Sequence, residues 1–302
     1  MLIMNIDYPK VSILLITYNH QEFIRECLDS IRNQNYPNLE LIIGNDASRD
    51  NTKLIIEQYQ KDYPGFITKA FHHEVNMGIA ENINYCFSSI TGKYLIPFAG
   101  DDLFMPDRII SHVKALEINK DAALAFGNME WFWSETNKKI VNHFGLLQRP
   151  KTNIDEVIAD FSIPTPAVTL RWSLMSDLRY DTRLKYINDF VFMVMVMTRG
   201  RAIYVPTIAV RYRKHKGSVT LQNYFYEDRV KVIELLKESL PSQHYKAIDR
   251  YGRLVEYARV MTLIQDGRKR EAIAGAIGLI PYGFISLKWA ARVGAVFYKL
   301  IK

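Results

Sequence analysis

The stretch Val11-Ser12-Ile13-Leu14-Leu15-Ile16-Thr17 is an unbroken apolar and β-branched run, and it narrows sharply what this chain can become. A strand with one wet face alternates, whereas a strand without alternation is buried on both faces, as in a parallel sheet covered by helices. Tyr18-Asn19-His20 breaks the run, and Phe23, Ile24, Cys27, Leu28 and Ile31 then recur at helical spacing. The alternation repeats. Leu39 to Ile43 is followed by Ile55, Ile56 and Tyr59 at helical spacing, Ile67 to Phe71 by Ile79, Ile83, Cys86 and Ile90, and Tyr94 to Phe98 by Ile109, Ile110, Val113 and Leu116. Parallel neighbours require crossover helices, so the pattern predicts a doubly wound α/β sheet, with Ala122 to Phe126 as a further strand.

Each of three strands ends in a polar turn: Thr17-Tyr18-Asn19, Asn45-Asp46 and Asp101-Asp102. In an open α/β sheet the carboxyl ends of the strands form the ligand crevice, which gathers these turns on one edge. Adjacent carboxylates repel unless a cation lies nearby, and a divalent metal carrying a phosphate meets that need. The competing reading is an acidic turn in which Asp102 caps the helix opened by Pro106. Asp189 stands at the first turn of a stretch through Met197 too apolar for a surface helix. It reads either as a carboxylate with a chemical task or as an acid favoured by the helix dipole.

The formal charge of +7 suits a phosphate-bearing ligand. No basic run interleaved with aromatics, zinc-finger spacing or heptad series supports nucleic-acid binding. From Arg201 to Lys216 there are Lys and Arg residues but no Asp or Glu, which reads as a solvated basic face or a cationic loop closing on pyrophosphate. Trp131-Phe132-Trp133 reads as core or as a sugar-stacking surface. Cys27 and Cys86, the two cysteines, fall on apolar helix faces and read as buried thiols in a reducing, cytoplasmic setting. Met1 to Lys10 lacks the pattern of a signal peptide.

A boundary near Gln222 divides the chain into 1–221 and a helical region 222–302, with a helical pattern from Tyr224 to Ile264. In the tail from Phe284 to Lys302, Lys288, Arg292, Lys299 and Lys302 share one helical stripe. Phe284, Leu287, Trp289, Val293, Val296, Phe297, Leu300 and Ile301 cover much of the rest. Its charges make it a poor membrane-spanning helix, so the expectation is a helix lying in a membrane interface or packed on protein.

In order, these segments resemble the family 2 glycosyltransferases with the GT-A fold. Val11 to Asn19 is similar to their opening strand and Thr-Tyr-Asn turn. Asn45-Asp46-Ala47-Ser48-Arg49-Asp50-Asn51-Thr52 resembles their Asp-Asp-Gly-Ser-x-Asp-x-Thr segment. Gly92 through Asp102, with Pro106 and Asp107, resembles their metal-binding strand and turn, and Tyr212 to Ser218 their Tyr-Arg-x-His-x-x-Ser. The resemblance implies an inverting enzyme that moves a sugar from a nucleoside-diphosphate sugar, typically a UDP-sugar, to a saccharide or lipid-linked acceptor in surface polysaccharide synthesis at the inner face of the membrane.

By position, Thr17, Tyr18 and Asn19 would line the nucleotide pocket and Asp46 would accept a hydrogen bond from the base. Asp101 would meet ribose or metal-bound water, and Asp102 would ligate Mg²⁺ or Mn²⁺. Asp189 would be the general base, its basicity helped by burial, and Arg211 and His215 would meet the diphosphate, His215 also touching the metal. Asn45, Ala99 and Asn188 depart from the acidic residues common at those positions. These departures leave a second reading, a nucleotide-sugar-binding or scaffold protein. A sugar nucleotidyltransferase would need a Gly-rich phosphate loop, where this chain has Thr17-Tyr18-Asn19-His20.

Overall fold

The computed structural model describes residues 8–136, 138–141, 150–218, 225–283 and 287–301. The chain divides into two compact units, Met1–Val157 with Ser162–Leu221, and Ile158–Phe161 with Gln222–Lys302. Gln222 and Tyr224, where the sequence places the boundary and the start of the helical region, lie outside the described residues.

The first unit opens as β1 (Val11–Thr17), α1 (Ile24–Arg32), β2 (Leu39–Asn45), α2 (Thr52–Asp62), β3 (Lys69–His72), α3 (Ile79–Cys86) and β4 (Tyr94–Ala99). It continues with β5 (Leu103–Phe104), α4 (Arg108–Ile118), β6 (Ala122–Trp133), β7 (Lys139–Val141), α5 (Ile154–Ala159, of which Ile158 and Ala159 are assigned to the second unit), β8 (Val168–Arg171), α6 (Asn188–Met197) and β9 (Arg201–Lys214). The sheet runs β3-β2-β1-β4-β8-β6-β9-β5, with β7 on β6. Strands β3, β2, β1 and β4 are all parallel, as the alternating pattern requires. The second half is mixed: β8 is antiparallel to both β4 and β6, β5 is antiparallel to β9, and β6 and β9 are parallel. The sheet is mainly parallel, as expected, and its antiparallel pairings are confined to the short strands β5, β7 and β8. Where the chain returns through a short strand such as β8, no crossover helix sets its direction.

The core lies where the periodicity placed it. Ile13 and Leu15 of β1 and Ile96 of β4 are fully buried with Ile24, Cys27, Leu28 and Ile31 of α1 and Ile109, Val113 and Leu116 of α4. The basic segment after Arg201 is not a loop but the 14-residue strand β9, long enough to span the sheet from the Arg201–Asp121 ion pair to the acidic turn. At the amino-terminal edge of the sheet, Glu40 sits opposite Ser12 in register. It accepts hydrogen bonds from Ser12, from Thr91 and from the Gly92 amide, with Lys10 Nζ at 2.7 Å.

In the second unit, α7 (Tyr226–Ser239), α8 (Tyr245–Gln265), α9 (Lys269–Gly283) and α10 (Leu287–Ile301) follow in order. The continuous pattern from Tyr224 to Ile264 is broken at Leu240-Pro241, since proline cannot extend the helix before it. Gly275 lets α9 approach α8, because a Cβ there would lie 2.6 Å from Val260 Cγ2. The tail's apolar face turns inward. Val296 is 1% exposed, and Val293, Phe297 and Leu300 pack with Val260, Leu263, Ala272, Ala276 and Leu279. Of the two expectations for that face, a membrane interface or packing on protein, the described residues show packing on α8 and α9. Phe284 and Lys302 lie outside the described residues, as do the side chains of Leu287, Lys288, Trp289 and Ile301. Among the described residues no helix is long and apolar enough to cross a membrane.

Candidate active site

Strand β4 delivers the acidic pair. Gly100 follows it because a Cβ would lie 2.9 Å from Thr17 Oγ1, so only glycine lets the end of β4 close against β1. Asp101 Oδ2 lies 3.1 Å from His215 Nε2. Asp102 is 1% exposed; its Oδ1 accepts the Arg213 backbone N–H at 2.9 Å, and its Oδ2 is buried with no hydrogen-bond partner. The residue before α4 is Asp107, with φ at 58°, so Asp102 does not cap that helix. Burial and the neighbouring Asp101 charge push the Asp102 carboxyl well above its ordinary range. Burial also acts on Asp101, but the His215 hydrogen bond and the nearby His20 outweigh it and hold that carboxyl low.

Arg213 holds this turn in place. Its Nε donates to the Asp101 carbonyl at 2.7 Å, Nη1 to Ser134 Oγ at 3.2 Å and Nη2 to Glu26, while the guanidinium lies 4.8 Å from the Phe23 ring and 4.5 Å from that of Phe132. Arg211, expected at the diphosphate, is placed otherwise. It pairs with Glu130 and lines a cleft of about 420 Å³ with Asp29, Asn33 and Leu103. Lys214 is half-buried near the end of the same strand, β9. Burial lowers its pKa while Asp102 and Asp101 oppose that, and its ammonium lies 5.8 Å from the Trp131 ring and 4.6 Å from that of Tyr212. Of the aromatic triplet, Phe132 is buried and Trp131 and Trp133 half-buried.

The other two turns meet beside it. Thr17 Oγ1 lies 3.1 Å from His20 Nδ1, and the His20 ring is 6.4 Å from that of His215. Burial holds the His20 pKa below its ordinary value, with the Asp101 charge working the other way. Tyr18 is exposed. Asn19, with φ at 56°, accepts from the Arg49 amide at 2.8 Å and donates its own amide to Ser48 Oγ at 2.9 Å, tying the first turn to the second. Asn45 Oδ1 accepts from Ser48, and its Nδ2 lies 3.1 Å from His72 Nδ1. Asp46 is 4% exposed, and its two carboxylate oxygens accept the Met77 and Gly78 amides at 2.7 and 2.9 Å. Its carboxylate therefore braces the loop after β3 and keeps further acceptor capacity on each oxygen.

Asp189 stands in the first turn of α6. Thr165 donates to its Oδ2 at 2.8 Å, which fixes the carboxylate's orientation. Burial first, then the Asp189 charge, raise the pKa of the Tyr180 phenol, whose ring stacks on Phe192 at 4.1 Å. Asn188 is buried, with its Nδ2 unpartnered. The sequence reading missed Arg213, His20 and Glu26 as site residues. Arg213 was visible inside Tyr-Arg-x-His-x-x-Ser, but Glu26 and His20 carry no local signal apart from following the first turn.

Whether a divalent cation fits can be judged from the donors. A buried carboxylate oxygen with no partner, next to a second carboxylate held by histidine, is an arrangement that a hard cation completes. No group of three His, Cys, Asp or Glu residues able to hold a metal occurs among the described residues, so bound phosphate or water would supply the remaining oxygens.

The model of the family described as "Glycosyl transferase family 2" matches residues 12–179. The chain belongs to glycosyl transferase family 2. Among relatives of this glycosyltransferase is the "Putative glycosyltransferase EpsE" of Bacillus subtilis (strain 168), 39% identical over 109 residues. That match spans 36% of this chain and only 39% of EpsE. An "Uncharacterized glycosyltransferase" of Haemophilus influenzae is 27% identical over 241 residues, covering 77% of this chain and 73% of that protein. Solved structures share the fold. Among them, S. aureus TarS 1–349 in complex with UDP-GlcNAc has a TM-score of 0.61 at 21% identity, covering 79% of this chain and 70% of that one. The mannosyltransferase PcManGT from Pyrobaculum calidifontis, in complex with GDP-Man and Mn²⁺, has a TM-score of 0.61 at 18% identity, covering 97% and 81%.

Proposed function

We propose that this glycosyltransferase moves a sugar from a nucleoside-diphosphate sugar, a UDP-sugar in the first instance, to a hydroxyl of a saccharide or lipid-linked glycan with inversion at the anomeric carbon. We place it in surface polysaccharide synthesis, peripheral to the inner face of the cell membrane, with 1–221 as the catalytic domain. The observation that carries this reading is the unpartnered, buried Asp102 Oδ2 beside the Asp101–His215 pair, at the strand edge where the Thr17 and Asp46 turns meet. It is supported by neighbours of the same fold that hold UDP-GlcNAc, or GDP-Man with Mn²⁺.

Asp102 and His215 would hold a divalent Mn²⁺ or Mg²⁺. When bound, the cation supplies positive charge for the diphosphate that departs. Lys214, whose charge is felt by Asp102 and Asp101, adds to that stabilisation. Thr17, Tyr18 and Asn19 line the nucleotide, and Asp46 meets the base either directly or through the loop amides it orders. Asp189, fixed by Thr165, takes the acceptor proton. A free hydroxyl does not ionise near neutrality, so its proton must pass to a positioned base as the oxygen attacks. The acceptor C–O bond then forms as the anomeric bond to diphosphate breaks, and the proton stays on Asp189. One attack from the face opposite the diphosphate gives inversion. Arg213 keeps the Asp101 carbonyl and the Asp102 carboxylate in position throughout.

A thermal-shift panel of nucleoside diphosphates and nucleotide sugars, each with Mn²⁺, Mg²⁺ or EDTA, tests the reading. Ligand at about a hundredfold its Kd adds about 2.7 kcal/mol to the folded state. A shift that requires metal and favours uracil supports a UDP-sugar donor. No shift with any nucleotide in folded protein turns the reading to the scaffold alternative, with Asn45 and Ala99 as the cause.

A further inference from the structure

Helix α9 is apolar all round from Ala272 to Pro281. One face, Ala272, Ala276 and Leu279, is buried against α8 and α10. The opposite face is not covered within its unit: Ile273, Ile277 and Ile280, spaced by four and three residues, are 45%, 57% and 39% exposed. A helix that is hydrophobic on every side belongs in a core or at a lipid surface, and a row of three exposed isoleucines is more than scattered surface apolarity.

The charges around the row select its partner. Lys269 and Arg270, one turn before Ile273, are exposed. Arg268 pairs with Glu271, Glu256 pairs with Arg259 and Asp249 with Lys237, and among the described residues Lys269 and Arg270 have no ion pair with an acid. From Ala272 to the last residue the sequence contains no Asp or Glu, but does contain Lys288, Arg292, Lys299 and Lys302. Tyr298 and Lys299 of α10 are exposed as well. An apolar row with two exposed cations at its start, on a helix with no Asp or Glu after Glu271, complements an anionic bilayer surface, into which isoleucines sink while lysine and arginine stay at the headgroups. The helix spans 15 residues, too short to cross.

We infer that the outer face of α9, through Ile273, Ile277 and Ile280 with Lys269 and Arg270, docks this enzyme on a membrane rich in anionic lipid. This names the surface for the peripheral placement proposed above and rests on that placement, but not on the donor or the chemistry. It also replaces α10, whose apolar face is already used, as the contacting element.

The test is sedimentation of the full chain with vesicles of phosphatidylcholine alone or of equimolar phosphatidylcholine and phosphatidylglycerol, without nucleotide or metal. Light scattering of the free protein and melting temperatures of every variant accompany it. The expected result is binding to the anionic vesicles that weakens in about 1 M salt, where the screening length falls to about 3 Å. Ile277→Glu and the double change Lys269→Glu/Arg270→Glu should each reduce binding about tenfold or more at unchanged melting temperature. Three results overturn the inference: no sedimentation of the folded protein with either vesicle, Ile277→Glu binding as the unchanged chain does, or a dimer in solution that Ile277→Glu splits while vesicles stay unbound. A UDP-dependent thermal shift retained in these variants separates failure of docking from failure of the transferase reading.

Discussion

At the scale of single residues, the site combines groups that are costly to the fold. Asp102 keeps a buried oxygen unpartnered beside a second carboxylate. Asp102→Asn should therefore raise the stability of the metal-free protein by about 1 kcal/mol in denaturant unfolding, while abolishing any metal-dependent shift with nucleotide. Asp189→Asn should leave metal-dependent UDP binding intact in the thermal-shift panel and lower the transfer rate by at least about 10²-fold. Equal loss of binding would show that Asp189 shapes the pocket instead. Ala47 is a third case. It occupies the glycine position of the family's segment with φ at 57°, where a Cβ is disfavoured by about 1 kcal/mol, so Ala47→Gly should stabilise the fold by about that amount.

At the scale of elements, β9 sets the site more than any turn does. Its register on β6 puts Arg213 opposite Phe132 and Arg211 opposite Glu130. Two arginines two residues apart on one strand, both plausible phosphate ligands by sequence, thereby receive different tasks. At the far edge of the sheet, Glu40 of β2 joins Ser12 of β1 to the Thr91-Gly92 turn that leads into β4. Burial opposes its charge, but the hydrogen bonds from Lys10, Ser12 and Thr91 prevail and bring its pKa down to about 2. A carboxyl held below its unfolded value adds stability that is present above the unfolded pKa near 4.3 and is lost as pH falls through the folded value. Glu40→Gln should thus cost about 2 kcal/mol near pH 7 in urea unfolding, with the gap between the two proteins closing from about pH 4 toward pH 2.

At the scale of the whole molecule, two compact units carry separate tasks in this reading, a sheet with its acidic edge and a helical unit with a basic, apolar surface. The sequence alone determined the alternation of β1 through β4 with their helices and the gathering of Thr17, Asn45-Asp46 and Asp101-Asp102 on one edge. Apolar periodicity and turn chemistry are local properties that survive without knowledge of partners. It determined the family for the same reason, since the motifs sit on those local units. Only the tertiary structure decided that β8 runs antiparallel and that Arg213 and not Arg211 grips the turn. It alone showed that α10 faces inward while α9 presents isoleucines outward. Amphipathic segments announce that they have an apolar face but not what covers it. Strand register and helix docking arise from contacts between residues far apart in the chain, and no spacing along the sequence encodes which of two equally suitable faces or cations meets its partner.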